Sequence, residues 1–146
     1  AYQKTIKEVK NDVEVFGMGC PLFVPLIEGG FINNDETKKV VKEYLRPLKK
    51  ENIDTLVLGC THYPHLEGLI QDEIGPEVTV VNPAKATAQE ALNRLKSLGL
   101  LNDRRKKASY TYSVSGSPAQ FMDIGSRLFG KPIAGVKQVI FPSMKK

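Results

Sequence analysis

The sequence predicts an α/β fold, a mainly parallel sheet flanked by helices. Short runs rich in β-branched residues alternate with longer segments whose apolar residues recur at helical spacing. The run Ile53-Asp54-Thr55-Leu56-Val57-Leu58 shows little polar alternation, as expected of a strand covered on both faces. Asn82-Pro83 and Ser117-Pro118, each following a strand-like run, are helix-opening pairs.

Taken in order, Ile6 and Val9 suggest a first helix, and Asn11-Asp12 punctuates it. The β-rich run from Val13 to Met18 reads as a strand. After Cys20-Pro21 the apolar segment Leu22 to Ile27 is broken by Gly29-Gly30. Asp35 can cap a helix running to about Lys50, because Val40, Val41, Tyr44, Leu45 and Leu48 fall on one face. A strand over Ile53 to Leu58 stops at Gly59. Leu66, Leu69, Ile70 and Ile74 then mark a helix that Gly75 ends, and Val78 to Val81 forms another strand. A helix from about Lys85 to Ser97 places Leu92, Leu95 and Leu98 on its inner face. Asp103 to Ser109, polar and basic, reads as an exposed loop. Tyr110 to Val114 is a strand, Ser117 is an N-cap, Gln120 to Phe129 is a helix, and Val136 to Phe141 is a closing strand.

The chain has 146 residues, 41% of them hydrophobic, which suits an ordinary globular domain. No apolar run is long enough to span a bilayer, and the opening stretch AYQKTIKEVKND carries no signal-peptide core, so the expected location is cytoplasmic, without membrane association. Its two cysteines, Cys20 and Cys60, form neither a CxxC pair nor a disulfide framework and are expected to be reduced. A net charge of +5 comes from scattered lysines, the run Arg104-Arg105-Lys106-Lys107 and the tail Lys145-Lys146. No aromatic residue is interleaved with these charges, so a nucleic-acid partner is set aside.

In open parallel sheets, ligands gather beyond the carboxyl ends of the strands. The segment Leu58-Gly59-Cys60-Thr61-His62-Tyr63-Pro64 falls there. Gly59 permits a sharp turn and Pro64 suits the first turn of a helix, which sets Cys60 near a helix N-terminus with His62 two positions on. Such surroundings favour the thiolate. Equally, a Cys at a strand end is commonly a small buried hydrophobe, and a lone loop His an ordinary hydrogen-bonded residue. Cys60 and His62 are too few ligands for a zinc site. They could form a nucleophile–base pair of a thiol hydrolase or transferase, but nothing in the sequence identifies an acyl substrate. A non-catalytic α/β module is the third reading.

The segment from Leu58 to Pro64, the earlier Cys20-Pro21-Leu22-Phe23-Val24-Pro25-Leu26-Ile27-Glu28-Gly29-Gly30, and the later Ser115-Gly116-Ser117-Pro118 with Phe121 together resemble the glutamate racemase branch of the aspartate/glutamate racemase family. The resemblance covers essentially the whole chain. It implies a cofactor-independent enzyme, without pyridoxal phosphate or metal, that interconverts L- and D-glutamate and supplies D-glutamate for peptidoglycan. One thiol removes the α-proton from one face while a second protonates the other. By this resemblance Cys60 is the second-domain thiol, which deprotonates L-glutamate; His62 assists it, Thr61 binds substrate, and Glu28 is an acidic residue near the site. A glutamate before Gly-Gly is as readily read as solvent-exposed.

The family pattern also contains an Asp-Ser-Gly strand and an Asn-Thr loop with the other thiol, and neither occurs here. The resemblance therefore implies an incomplete version of a two-domain racemase fold. Residues 1–78 would be most of the second domain, and 79–146 a segment returning to pack on an absent first domain. The missing N-terminal half and a homodimer are the implied macromolecular partners, and the chain alone is expected to be inactive. Cys20, among Leu22, Phe23 and Val24, is read as buried and structural. After Asn82-Pro83, Ala86 precedes Thr87, a departure from the acidic form more usual in the family.

Overall fold

The computed structural model describes residues 2–102 and 108–141. The basic run Arg104-Arg105-Lys106-Lys107, the Lys145-Lys146 tail and most of the expected loop at 103–109 lie outside the described residues. The described helices are α1 (Tyr2–Val9), α2 (Phe23–Glu28), α3 (Asp35–Lys50), α4 (Glu67–Ile74), α5 (Pro83–Ser97) and α6 (Pro118–Phe129). The strands are β1 (Thr55–Val57), β2 (Thr79–Val81), β3 (Ser113–Val114) and β4 (Lys137–Gln138). Among the described residues both strand pairs are parallel, in keeping with the expected mainly parallel α/β fold, but they form two sheets, β1 with β2 and β3 with β4. The chain falls into two compact units, Ala1–Leu100 and Leu101–Lys146.

In the first unit, Thr55, Leu56 and Val57 pair with Thr79, Val80 and Val81. Two further backbone bonds, Thr79 N–H to the Asp54 carbonyl and Leu58 N–H to the Val81 carbonyl, lengthen the ladder at both ends. The helices supply what three-residue strands cannot. Val41, Leu45 and Leu48 of α3 are buried with Ile70 and Ile74 of α4, Phe23 and Ile27 of α2, and Leu58 and Leu66. Helix α3 packs along α4, and Lys49 Nζ reaches both the Glu73 carbonyl, at 2.7 Å, and its carboxylate, at 3.1 Å. Gln71 holds the turn into β2 by donating to the carbonyls of Gly75 and Val78. Gly75, with φ of 101°, ends α4 in a conformation that a side chain would resist.

Several expectations need correction. Val13 to Met18 forms no strand: the segment is irregular and mostly exposed, and no other strand among the described residues pairs with it. β-propensity gives a ladder only where a neighbour accepts the hydrogen bonds. The cap of α3 is Asn34 rather than Asp35. Asn34 has extended backbone geometry and its side chain accepts from Thr37 N at 2.9 Å. Between Leu22 and Ile27, where no element was expected, α2 forms. The intended inner face of α5 is not buried: Leu92, Leu95 and Leu98 remain 39%, 43% and 51% exposed. The helix itself spans the expected segment and ends at Ser97, and Asn82 opens it as read, its side chain accepting from Ala84 N at 3.1 Å.

In the second unit, β3 and β4 are shorter than the runs that suggested them. Backbone bonds from Lys137 to Tyr112 and from Val139 to Val114 continue the pairing. Ser117 caps α6 through Gln120 N, and left-handed Gly130 closes it. Ile133 is buried, its N–H donating to Ser126 Oγ, and its side chain lies where a Cβ on Gly125 would be 2.9 Å away.

Candidate active site

Both strands of the first sheet point the same way, so the loops after Leu58 and Val81 emerge together at their carboxyl ends. Cys60 lies in the first of these loops. A concavity lined by Lys49, Asn52, Ile53, Ile74 and Val78 lies at the amino ends, beside the residues that lead into the strands. After Cys60 the backbone tightens into a turn, Tyr63 N–H donating to the Cys60 carbonyl at 3.3 Å. A 3₁₀ turn over Tyr63–Leu66, with Pro64 in its first positions, runs directly into α4. The sequence thus foresaw a helical start here but not its 3₁₀ form. Gly59 is not among the left-handed glycines. Its missing side chain instead faces the Tyr2 ring, which a Cβ would meet at 3.5 Å.

The chain brings Glu28, 34 positions earlier, to His62, with Oε1 3.2 Å from Nε2. On the other side of the ring, Thr61 Oγ1 lies 3.4 Å from Nδ1. A carboxylate can only accept, so Nε2 carries the proton in a neutral ring and Nδ1 is left to accept from the Thr61 hydroxyl. In a neutral ring the hydrogen bonds would run in the order Thr61 to His62 to Glu28. Cys60 is a free, half-buried thiol and Thr61 is exposed, so the loop remains open to solvent.

Helix α2 delivers Glu28. Its buried residues Phe23 and Ile27 lie on its inner face, and Glu28 is its last residue. Phe23 packs edge-on against Tyr44 of α3 and Tyr63 of the turn, with ring centres 5.2 and 5.1 Å apart. The Tyr63 hydroxyl donates to the Cys20 carbonyl at 3.3 Å. Tyr63 was read from the sequence only as part of the Leu58 to Pro64 segment, with no role of its own, and its bond to Cys20 and its packing on Phe23 are visible only in the structure.

The two thiols occupy different surroundings. Cys20 is buried, 9% exposed, and burial pushes its pKa up to about 11, with a hydrogen bond from Tyr63 partly offsetting the rise. Burial also raises the Tyr63 phenol, assisted by the nearby Cys20 and Cys60 thiols. At the carboxyl end of β2, Glu67 accepts from Asn82 Nδ2 at 2.7 Å and from Lys85 Nζ at 2.9 Å. Lys85 first, then Asn82, hold the Glu67 carboxyl below the usual range. The bonds tie the start of α4 to the start of α5. Among the described residues no group of three His, Cys, Asp or Glu side chains could hold a metal ion, and no helix is long and apolar enough to cross a membrane.

Comparison with known proteins agrees with the fold. The sequence model of the Asp/Glu/Hydantoin racemase family matches residues 10–91. The chain is 40% identical to the glutamate racemase of Syntrophus aciditrophicus over 139 residues, 95% of this chain and 52% of that protein. It is 40% identical to that of Geobacter metallireducens over 146 residues, 100% of this chain and 54% of that protein. The crystal structure of glutamate racemase isoform RacE1 from Bacillus anthracis superposes with a TM-score of 0.86 at 35% identity, covering 97% of this chain and 52% of that one. Glutamate racemase from Francisella tularensis in complex with D-glutamate gives 0.85 at 29% identity, covering 96% and 52%. The chain spans about half the length of the relatives it matches, and it belongs to the Asp/Glu/Hydantoin racemase family.

Proposed function

We propose that this chain carries one half of the active site of a cofactor-independent glutamate racemase. The observation that carries the reading is the Glu28–His62 pair, held beside Cys60 and Thr61 at the carboxyl ends of parallel strands. Relatives called glutamate racemases at 40% identity, and a relative of the same fold crystallised with D-glutamate, support glutamate as the substrate.

Cys60, as thiolate, takes the α-proton of L-glutamate: the Cα–H bond breaks, an S–H bond forms, and the electron pair remains on Cα, delocalised into the carboxylate. A second thiol, supplied from outside this chain, delivers a proton to the opposite face. In the reverse direction the Cys60 thiol is the donor. A thiol suits both roles because its two protonation states are each reachable near neutral pH. His62, with its Nε2 proton committed to Glu28, assists Cys60, and the exposed Thr61 hydroxyl binds substrate. Cys20 takes no part, since burial keeps it protonated. Residues 79–146 pack on the domain that supplies the second thiol. The exposed Leu92, Leu95 and Leu98 stripe supports that placement. The product is D-glutamate for peptidoglycan, made in the cytoplasm.

The test is complementation. The chain, mixed with the N-terminal half of the Geobacter metallireducens enzyme, is expected to interconvert the glutamate enantiomers and to exchange the α-hydrogen with solvent deuterium. The chain alone is expected to do neither at a comparable rate. Activity of the mixture that survives Cys60→Ala, or racemisation by the chain alone that depends on Cys20, would overturn the assignment.

A further inference from the structure

Helix α2 is held by the Cys60 loop at both ends. At its exit, Glu28 meets His62. At its entrance, the Cys20 carbonyl accepts two hydrogen bonds, one from Phe23 N–H in the first turn at 3.1 Å and one from the Tyr63 hydroxyl at 3.3 Å. At the same end, buried Phe23, the first residue of α2, packs in a T-shaped contact with Tyr63, the rings at 84°. His62 and Tyr63 are consecutive residues, and the turn that carries them is closed by the Tyr63 N–H bond to the Cys60 carbonyl.

We infer that Tyr63 is a positioning residue, whose hydroxyl and ring clamp the start of α2 to the Cys60 loop and so set the register in which Glu28 meets His62. The reason is geometric. A helix is stiff along its axis, at ~1.5 Å per residue, so fixing Phe23 fixes where Glu28 arrives. Glu28 itself is a three-torsion side chain that lies 38% exposed, and a solvated pair of this kind does not hold its own geometry. The order in the pair is imported from the clamp. The tautomer of His62 depends in turn on Glu28, because a wandering carboxylate leaves Nε2 without the acceptor that fixes its proton. The inference rests on the acid/base reading of the pair proposed above, but its test does not use activity.

Tautomer populations can be read from long-range ¹⁵N correlation spectra of the imidazole rings at about pH 8, where an ordinary imidazole is neutral. The chain has two histidines, His62 and exposed His65, so His65→Gln in the full 146-residue chain leaves one ring to observe. The expected spectrum is that of an Nε2–H tautomer. Glu28→Ala should convert it to an averaged pattern, and Tyr63→Phe, which keeps the ring and removes the hydroxyl, should move it at least halfway to that pattern. Phe23→Leu, which loosens the ring contact and keeps the hydroxyl, should act in the same direction, so that one folded variant decides if the other fails to fold. A native tautomer pattern in Tyr63→Phe or Phe23→Leu, alongside an averaged one in Glu28→Ala, would overturn the clamp. So would an unchanged spectrum in Glu28→Ala. Failure of the complemented enzyme to exchange the glutamate α-hydrogen would instead remove the racemase reading and leave the clamp standing.

Discussion

Cys20 and Cys60 offer a direct contrast in thiol reactivity. Burial raises the Cys20 pKa from its ordinary 9.0 to about 11, which lowers its thiolate fraction near neutral pH by about 100-fold, tenfold for each unit. The rarer thiolate is also the more nucleophilic one. With a Brønsted coefficient of ~0.4–0.5, the two-unit rise returns roughly 6- to 10-fold, leaving Cys20 about 10- to 15-fold slower than an unperturbed thiol. Shielding adds to this, because only 9% of the residue is exposed. Cys60 is the more open of the two. Iodoacetamide labelling near neutral pH, quenched at intervals and resolved by peptide mass spectrometry, should therefore modify Cys60 at least ten times faster than Cys20. In the complemented enzyme, glutamate should slow Cys60 alone. Equal labelling rates, or glutamate protection of Cys20, would refute both the burial argument and the choice of Cys60 as the site thiol.

The same thiol predicts an alkaline limit to stability. Below pH 9.0 the folded and unfolded states both keep the Cys20 proton, but as pH climbs from there to about 11 the unfolded thiol ionises first and draws the chain toward unfolding. The loss approaches about 2–3 kcal/mol at the upper end, and urea titrations of Cys20→Ala should lack this slope relative to the parent. At the acidic end, Glu67 acts with the opposite sign. Its lowered pKa stabilises the fold above the ordinary 4.5, and that contribution fades as pH falls through the folded value, so Glu67→Gln should lower stability above that pH and converge with the parent as pH falls, flattening the acid limb of the profile. Asn34→Ala removes the side-chain cap of α3 and should cost about 1 kcal/mol by chemical denaturation, whereas Asp35→Ala should cost less because Asp35 is not the cap.

The sequence carried the fold where the pattern was long. Val41, Leu45 and Leu48 repeat over about two turns in the middle of a 16-residue helix, and α3 followed from them to within a residue. Its cap was misread because Asn34 and Asp35 are both good cap formers, and only backbone geometry distinguishes the residue that precedes the helix from the first one in it. Helix α2 escaped notice for the opposite reason. Six residues with Pro25 among them are too few to show a period, and their helical form depends on Phe23 and Ile27 finding α3 and the turn. Among the described residues, Val13 to Met18 had strand-forming residues without a strand to pair with, and Leu92, Leu95 and Leu98 had helical spacing but remain exposed. In both cases local preference was read correctly as a preference and wrongly as a finished contact.

The site divides along the same line. Cys60, Thr61 and His62 were legible because they are contiguous and sit where a strand gives way to a helical turn, a place that chemistry favours in parallel sheets. Glu28 could be named from the family resemblance, but its contact with the imidazole at 3.2 Å is visible only in the structure, where it ends a helix whose other end Tyr63 holds. A residue type suggests what a side chain could do, whereas the 34 positions between Glu28 and His62 are closed by packing, through Phe23, that no local pattern records. The information for that contact is in the sequence, but it is spread over α2, α3 and the turn, and it becomes readable only when the aromatic residues Phe23, Tyr44 and Tyr63 are seen as one cluster.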